Sequence, residues 1–168
     1  ERIVKEAKKD GIDLLITCDN GIAAFDAVKL AKELGIKVIV TDHHDISFME
    51  DSMGRKKYIL PEADAVINPK RKDCKYPFKH LSGAGVAFKF IQVLYEEFNI
   101  DIEESYELLE FVAMGTVCDV VDLVDENRII VIEGLKRINN TKNIGLKALI
   151  KATGLEGKEI NTFSLGFI

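Results

Sequence analysis

Hydrophobic residues in the first forty positions form two short runs with an amphipathic segment between them. The runs are residues 12–17 and 36–41, and both are too uniformly apolar to have a face in water. Between them, residues 21–34 repeat apolar side chains at helical spacing, and Gly35 follows where a helix-terminating glycine is expected. The pattern predicts a β-α-β unit with parallel strands in a sheet covered on both sides.

A third strand is predicted after a long polar stretch. Residues 45–62 are polar and without a clear period, so they are expected to be irregular. The short apolar run 65–67 then ends at Asn68-Pro69, where proline stops a strand. A third strand therefore adds to the parallel sheet.

The second half of the chain is predicted to be helical. Ser82 is a suitable N-cap for a helix over residues 83–98, whose buried face would include Val93 and Phe98. Further helices are expected over residues 103–114 and, as a pair, within 125–152, and the segment between them, 115–123, is too apolar for a solvent loop. The predicted fold class is α/β, with a parallel β-sheet core of Rossmann-like β-α-β units flanked by helices and a helical C-terminal half.

Composition narrows the class of protein further. Of the 168 residues, 47% are hydrophobic and 30% charged, which is enough for a core and a solvated surface. The net charge of −5 means that any contact with nucleic acid must be local. Three cysteines without CxxC spacing favour a reducing cytoplasm over a disulfide framework. Apolar runs are too short for a membrane span, so none is predicted.

Metal-binding residue types follow the first two predicted strands. Asp19 comes after the first strand, and Asp42-His43-His44 comes directly after the second. Because parallel strands end at the same edge of a sheet, Asp19 and His43 are expected to converge on one ion. Oxygen and imidazole ligands suit Mn²⁺, Zn²⁺ or Fe²⁺, and the high share of carboxylates favours Mn²⁺ or Mg²⁺.

Structural roles compete with this interpretation. Asp19 and Asp42 can each act as a turn or helix cap, whereas two adjacent histidines after a buried strand bring a desolvation cost that ligand binding would explain. Asp119 lies in an apolar stretch, where a buried carboxylate needs a cation or several hydrogen bonds. A surface turn at a helix end is the alternative for Asp119.

Two further segments have the composition of phosphate or single-strand contacts. The loop of residues 70–80 combines basic and aromatic side chains, among them Lys70, Arg71 and Tyr76, although such a loop can also be merely solvated. At the start of the predicted helix, small residues leave backbone N–H groups open to a phosphate. The residues concerned are Ser82, Gly83 and Gly85, and close helix packing explains these glycines equally well.

These motifs, in this order, resemble the DHH phosphoesterase superfamily, and within it the RecJ-type single-stranded-DNA-specific exonucleases. The resemblance rests on Asp19-Asn20-Gly21-Ile22, Asp42-His43-His44, Asn68-Pro69, Leu81-Ser82-Gly83-Ala84-Gly85-Val86-Ala87-Phe88-Lys89 and Gly115-Thr116-Val117-Cys118-Asp119-Val120-Val121. A dinucleotide-binding domain is excluded because the turn after the first strand lacks G-x-G-x-x-G.

The resemblance implies a role for each candidate residue. Asp19, His43 and Asp119 are expected to be metal ligands, and Asp42 and His44 catalytic residues, with Mn²⁺ or Mg²⁺ as cofactor and two ions in the full-length enzyme. Lys70, Arg71, Tyr76, Ser82, Gly83 and Gly85 are expected to bind the substrate. The implied activity is 5′→3′ hydrolysis of single-stranded DNA in DNA repair and recombination, and no protein partner is indicated.

The resemblance also implies an incomplete catalytic core. Residues 1–158 would form that core without its upstream Asp-x-Asp motif, and residues 159–168 would begin the connection to a C-terminal DHH-associated domain. We therefore expect a chain that folds but does not cleave alone. The alternatives are a DHH phosphodiesterase acting on short oligoribonucleotides or cyclic dinucleotides, and a non-catalytic nucleic-acid-binding relative.

Overall fold

The computed structural model describes residues 1–166, which form two compact units. The first unit is Glu1–Lys79, and the second begins at His80. The division falls inside the predicted core of residues 1–158, whose assignment as one domain stays a prediction. The last two residues of the predicted connection over 159–168 lie outside the described residues.

The first unit is built on the predicted β-α-β pattern. Its elements are α1 (Arg2–Lys9), β1 (Leu14–Cys18), α2 (Phe25–Glu33), β2 (Lys37–Thr41), β3 (Phe48–Glu50), β4 (Lys56–Tyr58) and β5 (Ala65–Ile67). Three of the strands form a parallel sheet in the order β1-β2-β5. The parallel sheet and the third strand are therefore confirmed.

Only one face of strand β1 is covered by the residues that the structure describes. On that face, Leu15 of β1 packs against a core cluster that includes Val4 of α1, Val28 of α2 and Val38 of β2. On the opposite face, Leu14 and Ile16 are 44% and 51% exposed. The prediction of a sheet covered on both sides is wrong for this strand, because alternate side chains of a strand point to opposite faces and β1 has a described helix on one of them only.

The polar stretch between the second and third strands is ordered into a hairpin, which the sequence pattern did not predict. Strands β3 and β4 pair antiparallel, with Phe48 opposite Tyr58. The turn is closed by Asp51, whose side chain accepts hydrogen bonds from the backbone N–H groups of Met53 and Arg55 at 2.9 and 3.0 Å. Three-residue strands are too short to show a period of two in the sequence.

The second unit is helical. Its elements are α3 (Gly83–Glu97), a 3₁₀ helix (Ile102–Leu108), α4 (Leu109–Cys118), α5 (Asp125–Ile138), α6 (Ile144–Ala152) and α7 (Thr162–Leu165). Helices α4 and α5 approach so closely that a Cβ on Gly134 would lie 2.3 Å from the Cβ of Ala113. This glycine therefore sets the contact between the two helices.

Some details of the helical half differ from the prediction. Val93 and Phe98 are exposed, and Phe88 is buried on α3 instead. The segment 115–123 begins as the last turn of α4 and then turns outward, leaving Val120 87% exposed. The prediction from the apolar composition of this segment, that it is too apolar for a solvent loop, is therefore wrong around Val120.

Within residues 1–166, no helix combines the length and the apolar character needed to cross a bilayer.

Candidate metal centre

The first two strands bring Asp19 and His43 together. Cys18 and Thr41 are paired at the ends of β1 and β2, and the N–H of Asp19 donates to the carbonyl of Thr41 at 3.1 Å. Nε2 of His43 lies 3.1 Å from Oδ1 of Asp19. The predicted meeting of these two side chains at the carboxyl edge of the sheet is confirmed, and their binding of a metal ion stays a prediction.

The donor atoms suit a divalent cation. Asp19, His43 and His44 each offer one ligand atom, and the three atoms lie within 4.8 Å of one another. Neighbouring ligands of an octahedral ion with bonds of ~2.1 Å are about 3 Å apart, close to the separation of Asp19 and His43. One carboxylate oxygen and imidazole nitrogens are ligands that Mn²⁺ accepts.

The loop after β1 is held in an uncommon backbone conformation. Asp19 has a φ of 60°, in the left-handed region that carboxylate and amide residues tolerate better than most. Two residues further along, Gly21 has a φ of 110°, and a Cβ there would lie 2.8 Å from Oγ1 of Thr17. A larger residue at position 21 would therefore displace the loop that carries Asp19.

Asp42 is buried beneath the two histidines. Its side chain is 1% exposed, and Oδ2 accepts the N–H of Ile22 at 2.9 Å. Oδ1 accepts the N–H groups of His43 and His44 and lies 2.7 Å from Nδ1 of His44. Burial alone would raise the pKa of this carboxyl, but these hydrogen bonds together outweigh it and lower the pKa.

These contacts revise the predicted role of Asp42. One carboxylate oxygen is engaged by Ile22 in the loop after β1 and the other by the residues that follow Asp42, and the side chain is inaccessible. We infer that Asp42 positions the residues around it and does not contact a substrate. In a neutral His44 ring, the carboxylate fixes the tautomer with the proton on Nδ1, which leaves Nε2 to act as the donor atom toward a metal or phosphate.

Asn68 connects the loop that carries His43 and His44 to the basic loop of residues 70–80. This residue is buried at the end of β5, and its Nδ2 donates to the carbonyl of His44 at 2.9 Å. Its Oδ1 accepts the N–H of Lys70 at 2.8 Å. The sequence marks Asn68-Pro69 as a strand end and as part of the family resemblance, but a single asparagine gives no sign of what its amide contacts.

Replacement of Asn68 by alanine is expected to lower the free energy of unfolding by about 2 kcal/mol, since it removes two part-buried hydrogen bonds, one to the carbonyl of His44 and one from the N–H of Lys70. Asn68→Asp keeps the acceptor for Lys70 but sets a carboxylate against the carbonyl of His44, so it should destabilise too. Urea denaturation of the 168-residue chain measures both effects. The exposed Asn140, changed to alanine, is the control, and an equal loss there would contradict the assignment.

The basic loop uses part of its charge internally. Nζ of Lys70 lies 2.9 Å from Asp45, which lowers the pKa of that carboxyl. The guanidinium of Arg71 contacts Asp73 and donates to the carbonyl of Val66. The predicted substrate roles of these two residues, and of the half-buried Tyr76, stay predictions, and Arg71 has a clear structural task.

In the second unit, Ser82 caps the N-terminus of helix α3. Oγ of the buried Ser82 accepts the N–H of Gly85 at 3.0 Å and lies 3.0 Å from Oγ1 of Thr116. The N–H of Gly85 is therefore engaged by the cap, which corrects the expectation that this group is open to a phosphate. Substrate binding by Ser82 and by the buried Gly83 stays a prediction.

Asp119 also belongs to the second unit. It follows the last residue of α4, its N–H donates to the carbonyl of Gly115 at 3.0 Å, and its side chain is half-buried. This position is at a helix end, as in the predicted alternative, but Oδ2 of the carboxylate is buried. Its role as a metal ligand stays a prediction.

Comparison with known proteins assigns the family. Residues 1–116 match the DHH family, N-terminal domain. The chain is 43% identical over 167 residues to the single-stranded-DNA-specific exonuclease RecJ of Bacillus subtilis, covering 99% of this chain and 19% of that protein. The identity to RecJ of Escherichia coli is 40% over 175 residues, covering 98% of this chain and 29% of that protein.

Solved structures agree with the assignment. RecJ of Thermus thermophilus in complex with Mn²⁺ superposes with a TM-score of 0.76 at 30% identity, covering 99% of this chain and 23% of that one. A second RecJ structure bound to manganese gives a TM-score of 0.73 at 31% identity, covering 96% of this chain and 38% of that one. The chain spans less than a third of the curated relatives described above. Its sequence and fold make it a member of the DHH family.

Proposed function

We propose that this chain is part of the catalytic core of a metal-dependent exonuclease that hydrolyses phosphodiester bonds of single-stranded DNA in the 5′→3′ direction. The observation that carries the proposal is the 3.1 Å approach of Asp19 Oδ1 and His43 Nε2 at the carboxyl edge of a parallel sheet. The similar proteins named as single-stranded-DNA-specific exonucleases support the choice of substrate.

In this proposal, Asp19, His43 and Asp119 hold Mn²⁺ or Mg²⁺. A bound divalent ion supplies Lewis-acid activation of the phosphate and lowers the pKa of a coordinated water. RecJ structures with Mn²⁺ and with Mg²⁺ support this choice of cofactor. Asp42 holds the His44 ring through Nδ1, and the exposed edge of that ring faces the scissile phosphate.

We further propose that the 168 residues alone do not cleave DNA. Two cations about 3.5–4 Å apart repel one another unless several anionic ligands surround them. The proposed ligand set in these residues contains two carboxylates and one imidazole, which suits one ion better than two. Cleavage would then require the upstream Asp-x-Asp motif that the resemblance implies.

The test uses the 168-residue chain and a version extended upstream to include that motif. Each is incubated with Mn²⁺ and single-stranded DNA labelled at either end. We expect mononucleotides to be released from the 5′ end by the extended protein only. Robust cleavage by the 168-residue chain, or none by the extended protein, would contradict the proposal.

A substrate panel separates this proposal from its alternatives. Long single-stranded DNA, oligoribonucleotides of two to five residues and cyclic dinucleotides are compared at equal concentration. Preference for either of the last two would favour another DHH phosphodiesterase, and metal-independent binding without any hydrolysis would favour a non-catalytic relative. A role in DNA repair and recombination and a cytoplasmic location complete the proposal, and the free thiols of Cys18, Cys74 and Cys118 are compatible with that location.

A further inference from the structure

The hairpin of β3 and β4 places two aromatic rings side by side on one face. Phe48 and Tyr58 are opposite one another across the strands, with ring centroids 6.0 Å apart. Their residues are 43% and 41% exposed, although large aromatic side chains are usually buried. The two rings form a small apolar surface that faces water.

A lysine lies over each ring. Nζ of Lys56 is 4.0 Å from the centroid of Phe48, and Nζ of Lys72 is 4.2 Å from the centroid of Tyr58. Glu50 shares this face of the hairpin as the cross-strand partner of Lys56. The two lysines outweigh this single carboxylate, so the immediate surroundings of the rings are basic in a chain whose net charge is −5.

The tip of the hairpin is fixed by its own hydrogen bonds. Asp51 accepts from the side chain of Arg55 at 2.7 Å, and its backbone N–H donates to the Arg55 carbonyl at 3.1 Å. This pair neutralises the acidic group at the tip. The rings are thus presented on a closed turn, which lowers the entropy lost when a ligand binds.

We propose that Phe48 and Tyr58 form a stacking platform for the bases of single-stranded nucleic acid. The proposal rests on the proposed function and adds a second contact to it, outside the metal centre. Partly exposed aromatic rings in contact with lysine side chains combine the two features by which proteins bind single strands, because every base has a π-face and every linkage a negative charge. We name this pair of rings, with Lys56 and Lys72, the aromatic platform.

Two connections join the aromatic platform to the metal centre within the first unit. Phe48 follows His44 by four residues, and Lys72 belongs to the basic loop that Asn68 ties to the His44 carbonyl. The aromatic platform and the metal centre are therefore linked through neighbouring residues of the same unit, and contact of one DNA strand with both is part of the proposal. Lys72, which was not among the predicted substrate residues, is thereby added to the proposed binding residues of that loop.

The charge on the platform favours a nucleic acid over an apolar protein partner. A protein partner would bury the lysines at a desolvation cost, whereas phosphates would pair with them. The single-stranded form is required because the bases of a duplex are stacked on one another and do not offer their faces.

The test measures binding of the 168-residue chain to a labelled single-stranded DNA by fluorescence anisotropy, with EDTA present so that no cleavage occurs. Phe48→Leu and Tyr58→Leu keep apolar volume but remove the π-face, and each is expected to weaken binding about tenfold. Met49→Leu, on the other face of the same hairpin, is the matched control and should change binding less than about twofold. Circular dichroism confirms that each variant is folded.

Two further measurements separate stacking from a structural effect. A strand with 2-aminopurine in place of one base should lose fluorescence on binding to the wild-type chain and retain it with the leucine variants. An abasic strand should bind all variants equally. Lys72→Ala should reduce the slope of log K against log salt by about 0.7.

The proposal is overturned if the leucine variants bind single-stranded DNA as the wild-type chain does. It is also overturned if the wild-type chain does not bind, or if the abasic strand distinguishes the variants equally well. These outcomes are independent of hydrolysis by the extended protein. If the extended protein does not hydrolyse DNA but binding still depends on the two rings, the proposed function alone is rejected. If the extended protein hydrolyses DNA but the leucine variants bind as the wild-type chain does, the aromatic platform alone is rejected.

Discussion

Replacement of Asp42 by alanine is expected to lower the free energy of unfolding by about 3–5 kcal/mol, because it leaves several buried or half-buried donors without an acceptor. The donors are the N–H groups of Ile22, His43 and His44 and the ring of His44. Few surface carboxylates have an effect of this size. The measurement is urea denaturation of the 168-residue chain without metal.

Asp45 is the matched control for this prediction. Asp45 lies three residues after Asp42 in the same loop. Its side chain is 92% exposed, so its ion pair with Lys70 is surrounded by solvent. Asp45→Ala should change the free energy of unfolding by less than about 1 kcal/mol. If both alanine variants lose the same stability, Asp42 does not support the loop in the way its hydrogen bonds suggest.

The second large effect concerns the metal ion. Asp19→Asn is expected to weaken Mn²⁺ binding by at least about 100-fold, since even the loss of a residue behind a metal ligand costs 10–100-fold. Asparagine tolerates the positive φ of 60° at this position, so the loop should keep its conformation. Isothermal titration of the 168-residue chain with MnCl₂ gives the two affinities.

The control for this variant removes the same charge from the other end of β1. Asp13 precedes the strand and is exposed, and its backbone carbonyl accepts the N–H of Lys37. Asp13→Asn should leave the affinity for Mn²⁺ within about twofold, because water screens a charge at that distance. Equal weakening by both variants would mean that Mn²⁺ responds to overall charge and not to Asp19.

The sequence was sufficient to predict the parallel sheet and the approach of Asp19 and His43 at the ends of two of its strands. Apolar runs of strand length separated by a helical period specify a parallel β-α-β unit, and strand order then brings Asp19 and His43 to one edge. This part of the site depends on the backbone alone. It therefore follows from a pattern of residue types.

The direction of individual side chains could not be predicted in the same way. Nothing in the letters Asp-His-His indicates that Asp42 turns inward to bind the N–H of Ile22 while His44 stays exposed. The same contact explains why α2 begins at Phe25 and not at residue 21, since the intervening residues form the loop that reaches Asp42. Such tertiary contacts override local propensity.

The proposed aromatic platform could not be predicted from the sequence, because its residues are far apart along the chain. Phe48 and Tyr58 lie in strands of three residues within a polar stretch, and Lys72 comes from a loop fourteen residues after Tyr58. The basic loop was recognised by composition, but composition did not distinguish Arg71, which contacts Asp73, from Lys72, which lies over a ring.

The measurement that tests the central claim most directly is the electron spin echo spectrum of Mn²⁺ bound to the 168-residue chain. Modulation by a ¹⁴N nucleus reports an imidazole bound to the ion, and the sequence has only three histidines. We expect this modulation in the wild-type chain and in His44→Gln, and its loss in His43→Gln. Nitrogen modulation that persists without His43, or that is absent from the wild-type chain, would contradict a cation shared by Asp19 and His43.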